Sequence, residues 1–160
     1  MKFYTVQAPY MWEYIVQKGK WVTDRKYYMA QEEYDWMLKQ MEERITINNP
    51  SHSLIWLWDK KPDLRYSGNG KRGTEMVLLE VELDRSCVLA SDFEAWHFVL
   101  NNCFLGDEKA EVISKEESWE RIFDLDFCQS YFEDRAPILQ YVTGEIEQEN
   151  INFIRKFICK

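Results

Sequence analysis

Histidine is nearly absent from this chain. His52 and His97 are the only two, which leaves little supply for an imidazole-built metal centre. The four cysteines, Cys87, Cys103, Cys128 and Cys159, are scattered and never form a CxxC pair. Neither a zinc motif nor a disulfide framework is indicated, and no metal is expected. Long apolar runs are missing too: none approaches the roughly 20 residues of a membrane span, and the N-terminal stretch has no signal-peptide core. Positive charge is in the minority, 20 Lys and Arg facing 28 Asp and Glu for a net charge of −8. That field repels polyanions and disfavours non-specific nucleic-acid binding by the whole surface, although the local basic path "RYSGNGKR" at 65–72 stays open. The expectation is a cytoplasmic protein with no membrane association.

What is present is apolar and aromatic. Of 160 residues, 46% are hydrophobic and 16% aromatic, enough for a real core in one domain over 1–160. "KFYTVQ" (2–7) reads as a strand. "APYMWEYIVQKG" follows as a helix, with Pro9 at its first position and Gly19 as its stop. A second helix over 30–46 places Tyr34, Met37, Leu38, Met41 and Ile45 on one face, and "NNPSH" breaks it. "SLIWLWD" (53–59) and "EMVLLEVEL" (75–83) are strand sequences, and "CVLA" (87–90) a shorter one. Ser91 with Glu94, and Ser114 with Glu117, have capping-box spacing. The first box starts a helix that turns Phe93, Trp96, His97 and Leu100 inward. The second starts one carrying Trp119, Ile122 and Phe123. "PILQYVTGEIEQENINFIRKFI" closes the chain as two strand-like runs around an acidic turn. The fold class expected is α+β, a mixed or antiparallel β core with packed helices.

The segment 60–74 holds three glycines and one proline, so it is a long polar loop of the kind that often carries function. Its GNGKRG stretch lacks the spacing and the hydroxyl residue of a phosphate loop. His97 beside Trp96 is either a core imidazole bonded to a backbone carbonyl or a ligand-facing group with Trp96 as its wall. Nothing marks a nucleophile for it to activate. Trp56 and Trp58 share a strand face, as core or as a stacking platform, with Arg65 in the following loop either solvated or clamping a phosphate. Glu80 and Glu82 solubilise the sheet or, on a cleft, form the chain's best carboxylate pair.

Several stretches, "YTVQAPYMWEYIVQKG", "YDWMLKQM", "IWLWDKKPDLR", "VLLEVELDRSCVLASDFEAWHFVLNN" and "LQYVTGEIEQENINFIRKF", resemble a bacterial family known as domain-of-unknown-function family 3841. The resemblance covers nearly the whole chain in order and brings no activity with it. More distantly, the element order is similar to the ADP-ribosyltransferase-like fold of DNA-targeting ADP-ribosyltransferase toxins. "FYTVQAPYMWEYIVQKG" echoes their opening strand and helix, and "ENINFI" their late Ile-x-x-Ile step. That likeness implies NAD or ADP-ribose as ligand. It implies ligand contacts from Tyr4 and Thr5 and a catalytic position at Gln140 or Glu145. On their own residue chemistry, Trp58, Arg65 and Trp96 join these as ligand contacts and His97 as a catalytic candidate.

The departures bear on the chemistry. Tyr4 and Thr5 stand where that family's first strand carries His or Arg. Gln140 stands where it carries a catalytic glutamate, with Glu145 on the same segment as the substitute. A neutral amide can hydrogen-bond a ribose but offers no charge to an oxocarbenium-like transition state. Two readings therefore lead: a nucleotide-binding domain with weak or lost transferase activity, and a non-enzymatic acidic module that binds a partner protein. A third is an enzyme of unknown reaction on another α+β fold.

Overall fold

Four segments of apolar or alternating sequence lie side by side in one antiparallel sheet. The computed structural model describes residues 1–28, 30–46, 53–66, 68–133 and 135–160. In it, β1 (Lys2–Gln7), β3 (Ile55–Trp58), β4 (Glu75–Glu82) and β6 (Leu139–Thr143) are consecutive neighbours in the order β6-β3-β1-β4. β5 (Leu89–Asp92) extends the sheet beyond β6, and β8 (Ile151–Ile158) extends it beyond β4. A separate two-stranded pairing joins β2 (Lys20–Trp21) to β7 (Ile146–Glu147). Among the described residues there are five α-helices: α1 (Pro9–Lys18), α2 (Gln31–Arg44), α3 (Phe93–Leu100), α4 (Lys115–Trp119) and α5 (Leu125–Tyr131). The class is α+β, as the patterning predicts.

Successive strand residues point to opposite faces; one face packs against α1 and the small pairing, while the other is covered over β3, β5 and β6 and stays partly open at β1 and β4, where Tyr4 is half-buried and Glu82 exposed. One face sends Phe3, Leu57, Val77, Leu79, Val81 and Tyr141 against Ile15 of α1 and against Trp21 and Ile146 of the small pairing. The other sends Trp56, Leu89 and Val142 against Met37, Leu38 and Met41 of α2 and Trp96 and Val99 of α3. Trp119, Ile122 and Cys128 close that second layer. This explains why "EMVLLEVEL" is apolar on both sides of its alternation: Leu78 and Leu79 are both 0% exposed.

Helix ends follow the sequence signals at most positions. Pro9 opens α1, and Gly19 closes it at φ 74°, its N–H bonded to Ile15 O at 2.9 Å, a left-handed cap that suits glycine. The Ser114–Glu117 capping box is formed in both directions. Its helix stops at Trp119 and tightens into a 3-10 turn over Glu120–Phe123, because Asp124 caps a new helix by accepting the Phe127 N–H at 3.0 Å. The expected cap at Ser91 moves to Asp92. Ser91 and Asp92 still pair with Gln140 and Leu139, so the strand runs on and Asp92 accepts the Ala95 N–H at 2.9 Å. Correspondingly, the short strand begins at Leu89 rather than Cys87, which lies in a 3-10 turn over Arg85–Cys87. The late run divides between the two pairings, with Leu139–Thr143 in the large sheet and Ile146 in the small one. "NNPSH" lies outside the described residues.

Candidate functional site

The register of the sheet aligns one row of side chains across all six strands. Ser91 pairs with Gln140, Gln140 with Trp58, Trp58 with Tyr4, Tyr4 with Glu80, and Glu80 with Asn152. Directly paired residues share a face at Cβ separations of about 5 Å. Tyr4 and Gln140, from opposite ends of the chain, therefore flank Trp58 on either side. His97 joins them through Phe93, whose ring lies 5.2 Å from Trp58 and 4.6 Å from the imidazole.

Exposure along the row is uneven. Gln140 and Ser91 are 3% and 1% exposed, with the Gln140 amide 3.4 Å from the Ser91 hydroxyl. Trp58 and Tyr4 are half-buried and form its accessible stretch. His97 is also half-buried, and its Nδ1–H donates to the Phe93 carbonyl at 2.9 Å. A carbonyl can only accept, so Nδ1 carries the hydrogen of this bond. The imidazole is thus anchored to its own helix one turn back.

Beyond Tyr4 the row becomes ionic, with Lys2 donating to Glu80 at 2.8 Å. Lys2 holds the Glu80 carboxyl below its ordinary value, with smaller help from the Tyr4 hydroxyl and the field of Lys61. Glu82, one step further along β4, is exposed. Lys61 also borders an open depression of about 370 Å³ together with Asp63, Leu64, Arg65 and Arg155. Arg65 is committed to Asp63, with Nη2 to Oδ2 at 2.6 Å and Nε to Oδ1 at 2.9 Å. This pairing lowers the Asp63 carboxyl to about 2. Lys61 and Arg155 form no ion pair among the described residues. The depression thus has three cationic side chains for one carboxylate, in a chain of net charge −8.

The other sequence-derived candidates lie elsewhere. Thr5 points to the opposite face from Tyr4, as alternation requires, and is 3% exposed with its hydroxyl accepting from Gln7. Trp96 is packed between Tyr34 and Trp56, at ring distances of 5.8 and 5.1 Å, and is 3% exposed. Glu145 belongs to the turn before β7 and accepts from Lys20 at 2.6 Å. That ion pair ties it to the small two-stranded pairing rather than to the row. Reading segments singly misses Glu80 as Tyr4's neighbour and Arg155 as part of the cationic depression. Both follow only from the pairing register of β4 with β1 and of β8 with β4.

No helix among the described residues is long and apolar enough to cross a membrane. No curated protein and no solved structure matches the chain. A protein-family description, domain of unknown function (DUF3841), matches residues 2–116, which span β1 through α3 and include Tyr4, Trp58, Arg65, Glu80 and His97. With well over half its length matched, the chain belongs to the DUF3841 family.

Proposed function

We propose that this domain binds a nucleotide-type ligand, of which NAD and ADP-ribose are the first to test, on the sheet face carrying Tyr4 and Trp58. The observation that carries this reading is the unbroken cross-strand row Gln140–Trp58–Tyr4–Glu80. It gives a half-buried aromatic wall for a ring, with Glu80 beside it as the polar group in reach of a ribose and Gln140 buried at the other end. The depression lined by Lys61, Arg65 and Arg155 supplies cations for phosphate. Arg155 pairs with Leu78, two residues from Glu80 on the same face of β4, and Glu80 is the register neighbour of Tyr4, which links the two features.

Transfer chemistry finds less support. Gln140 brings no negative charge, and Glu145 is held by Lys20. Glu80, the carboxylate beside Tyr4, is neutralised by Lys2. The proposed activity is therefore binding, with ADP-ribosyl transfer weak or absent, and the likeness to ADP-ribosyltransferases enters through element order alone.

Calorimetry with NAD and ADP-ribose tests this on the native protein and on Arg65→Ala, Arg155→Ala and Trp58→Ala. Each substitution should weaken binding about tenfold, the arginines by loss of a charge-assisted contact and the tryptophan by loss of the wall. The arginine variants change exposed side chains, so a loss there is not a folding defect. No binding by the native protein, or equal binding by all four, would reject the nucleotide reading in favour of a partner-binding module.

A further inference from the structure

A second cavity lies where α1, the segment after β2, α2 and the start of β3 meet. It encloses about 750 Å³, within the range of small-molecule sites. Five tyrosines, Tyr10, Tyr14, Tyr27, Tyr28 and Tyr34, and one tryptophan, Trp56, line it. They come from four separate stretches of chain, so no single motif announces them. Three of these rings are exposed, Tyr27 at 75%, Tyr10 at 68% and Tyr14 at 36%, a concentration of open aromatic surface that marks an interaction site.

Deeper in, the rings pack against one another. Tyr28 stacks on Tyr34 at 4.8 Å, and Tyr34 meets Trp56 edge-on at 6.3 Å. The Tyr28 hydroxyl accepts the Leu54 N–H at 2.9 Å and lies 2.9 Å from the Thr23 hydroxyl. Burial pushes the Tyr34 phenol up from its ordinary value, so it stays uncharged. The indole N–H of Trp56 is buried without a hydrogen bond of good geometry, though near enough to Tyr34 to oppose part of that rise.

One cation is already in place at the cavity rim. The Lys26 ammonium lies 4.9 Å from the Tyr27 ring centroid and pairs with Asp24 at 2.8 Å, and both residues border the cavity. The chain's own ammonium therefore uses a ring and a carboxylate of this site together. We propose that the tyrosine-lined cavity is a binding site for a small organic cation, a quaternary or methylated ammonium, taken up by cation–π contact with these rings. Aromatic side chains attract such groups through the negative faces of their rings, and the chain's net charge of −8 raises the local concentration of cations. This site is independent of the nucleotide reading and shares none of Tyr4, Trp58, Arg65 or Arg155.

The decisive comparison is choline against its uncharged isostere 3,3-dimethylbutan-1-ol, by titration calorimetry on the whole chain. The expectation is that choline binds about tenfold more tightly. Tyr14→Leu and Tyr27→Leu, which keep apolar bulk and remove a ring, should each weaken choline several-fold while leaving the melting temperature unchanged. Lys26→Met, which vacates the Tyr27 ring, should strengthen it. A trimethyl-lysine peptide separates the sources: tighter binding than choline identifies a modified protein as donor of the ammonium, weaker binding a free metabolite. Equal binding of choline and the neutral isostere would overturn the proposal, as would no measurable choline binding or choline binding unchanged in both tyrosine variants.

Discussion

Asp92 concentrates more structural work in one side chain than any sequence signal around it suggests. It is 0% exposed. Its carboxylate caps α3 through the Ala95 N–H at 2.9 Å, accepts the Ile138 N–H at 2.9 Å, and meets Arg135 at 3.2 Å. Beside Ser91, a good cap by sequence, it is easily assigned to the dipole of the first helical turn instead. The Ile138 and Arg135 partners, more than 40 residues away, are invisible from the local pattern. Removing the carboxylate leaves two backbone donors without acceptors in a dry junction. Asp92→Ala should therefore cost about 3 kcal/mol in urea unfolding, with Asp92→Asn, which keeps an acceptor oxygen, losing roughly half of that. A loss below about 1 kcal/mol for Asp92→Ala would show that the junction does not depend on this residue.

At the scale of elements, Ser118 and Trp119 bond to Leu105 and Cys103 at the start of the connection between α3 and α4, and its middle depends on one arginine and one glycine. Arg121 donates to the Leu105 carbonyl at 2.9 Å and to Glu111 Oε1 at 2.9 Å, clamping both ends of the polar stretch 105–111. Gly106, at φ 133°, runs beneath this clamp, where an added Cβ would meet the Arg121 guanidinium and come within 2.7 Å of Glu111 Oε1. Gly106→Ala should cost about 2 kcal/mol from backbone strain and displacement of the ion pair together, read as a lower urea midpoint and faster proteolysis within 105–113. Arg121→Ala should accelerate cleavage there in the same way, since it removes the clamp by its other half. Wild-type proteolysis rates in both variants would mean that the connection is held by something else. The glycine itself is legible in the sequence. What it accommodates is not, because Arg121 lies 15 residues on and reaches back only after α4 has turned the chain.

Across the whole molecule, strand identity is the most legible level, because alternation and β-branched or aromatic content act locally. The segments at 2–7, 53–59 and 75–83 each supply a strand of one β system, as does each of the two runs in the closing stretch. Their pairing is a different matter. The order β5-β6-β3-β1-β4-β8 sets first and last segments near one another, and it is this long-range register, not any motif, that brings Tyr4, Trp58 and Gln140 into a row. The same register gives the sheet a core on each face: Ile15 of α1 packs into one and Met41 of α2 into the other, each 0% exposed. The two cores share the strands between them. Leu57 points into the first and Trp56, its neighbour on β3, into the second, so neither core can open without disturbing the strand that serves both. Unfolding should accordingly be a single transition. Ile15→Ala and Met41→Ala should each cost about 3 kcal/mol and should lower the midpoint by far-ultraviolet circular dichroism and by tryptophan fluorescence to the same extent. If Ile15→Ala instead splits the curve, with one probe moving and the other staying at the wild-type midpoint, the two faces fold independently and the sheet does not couple them.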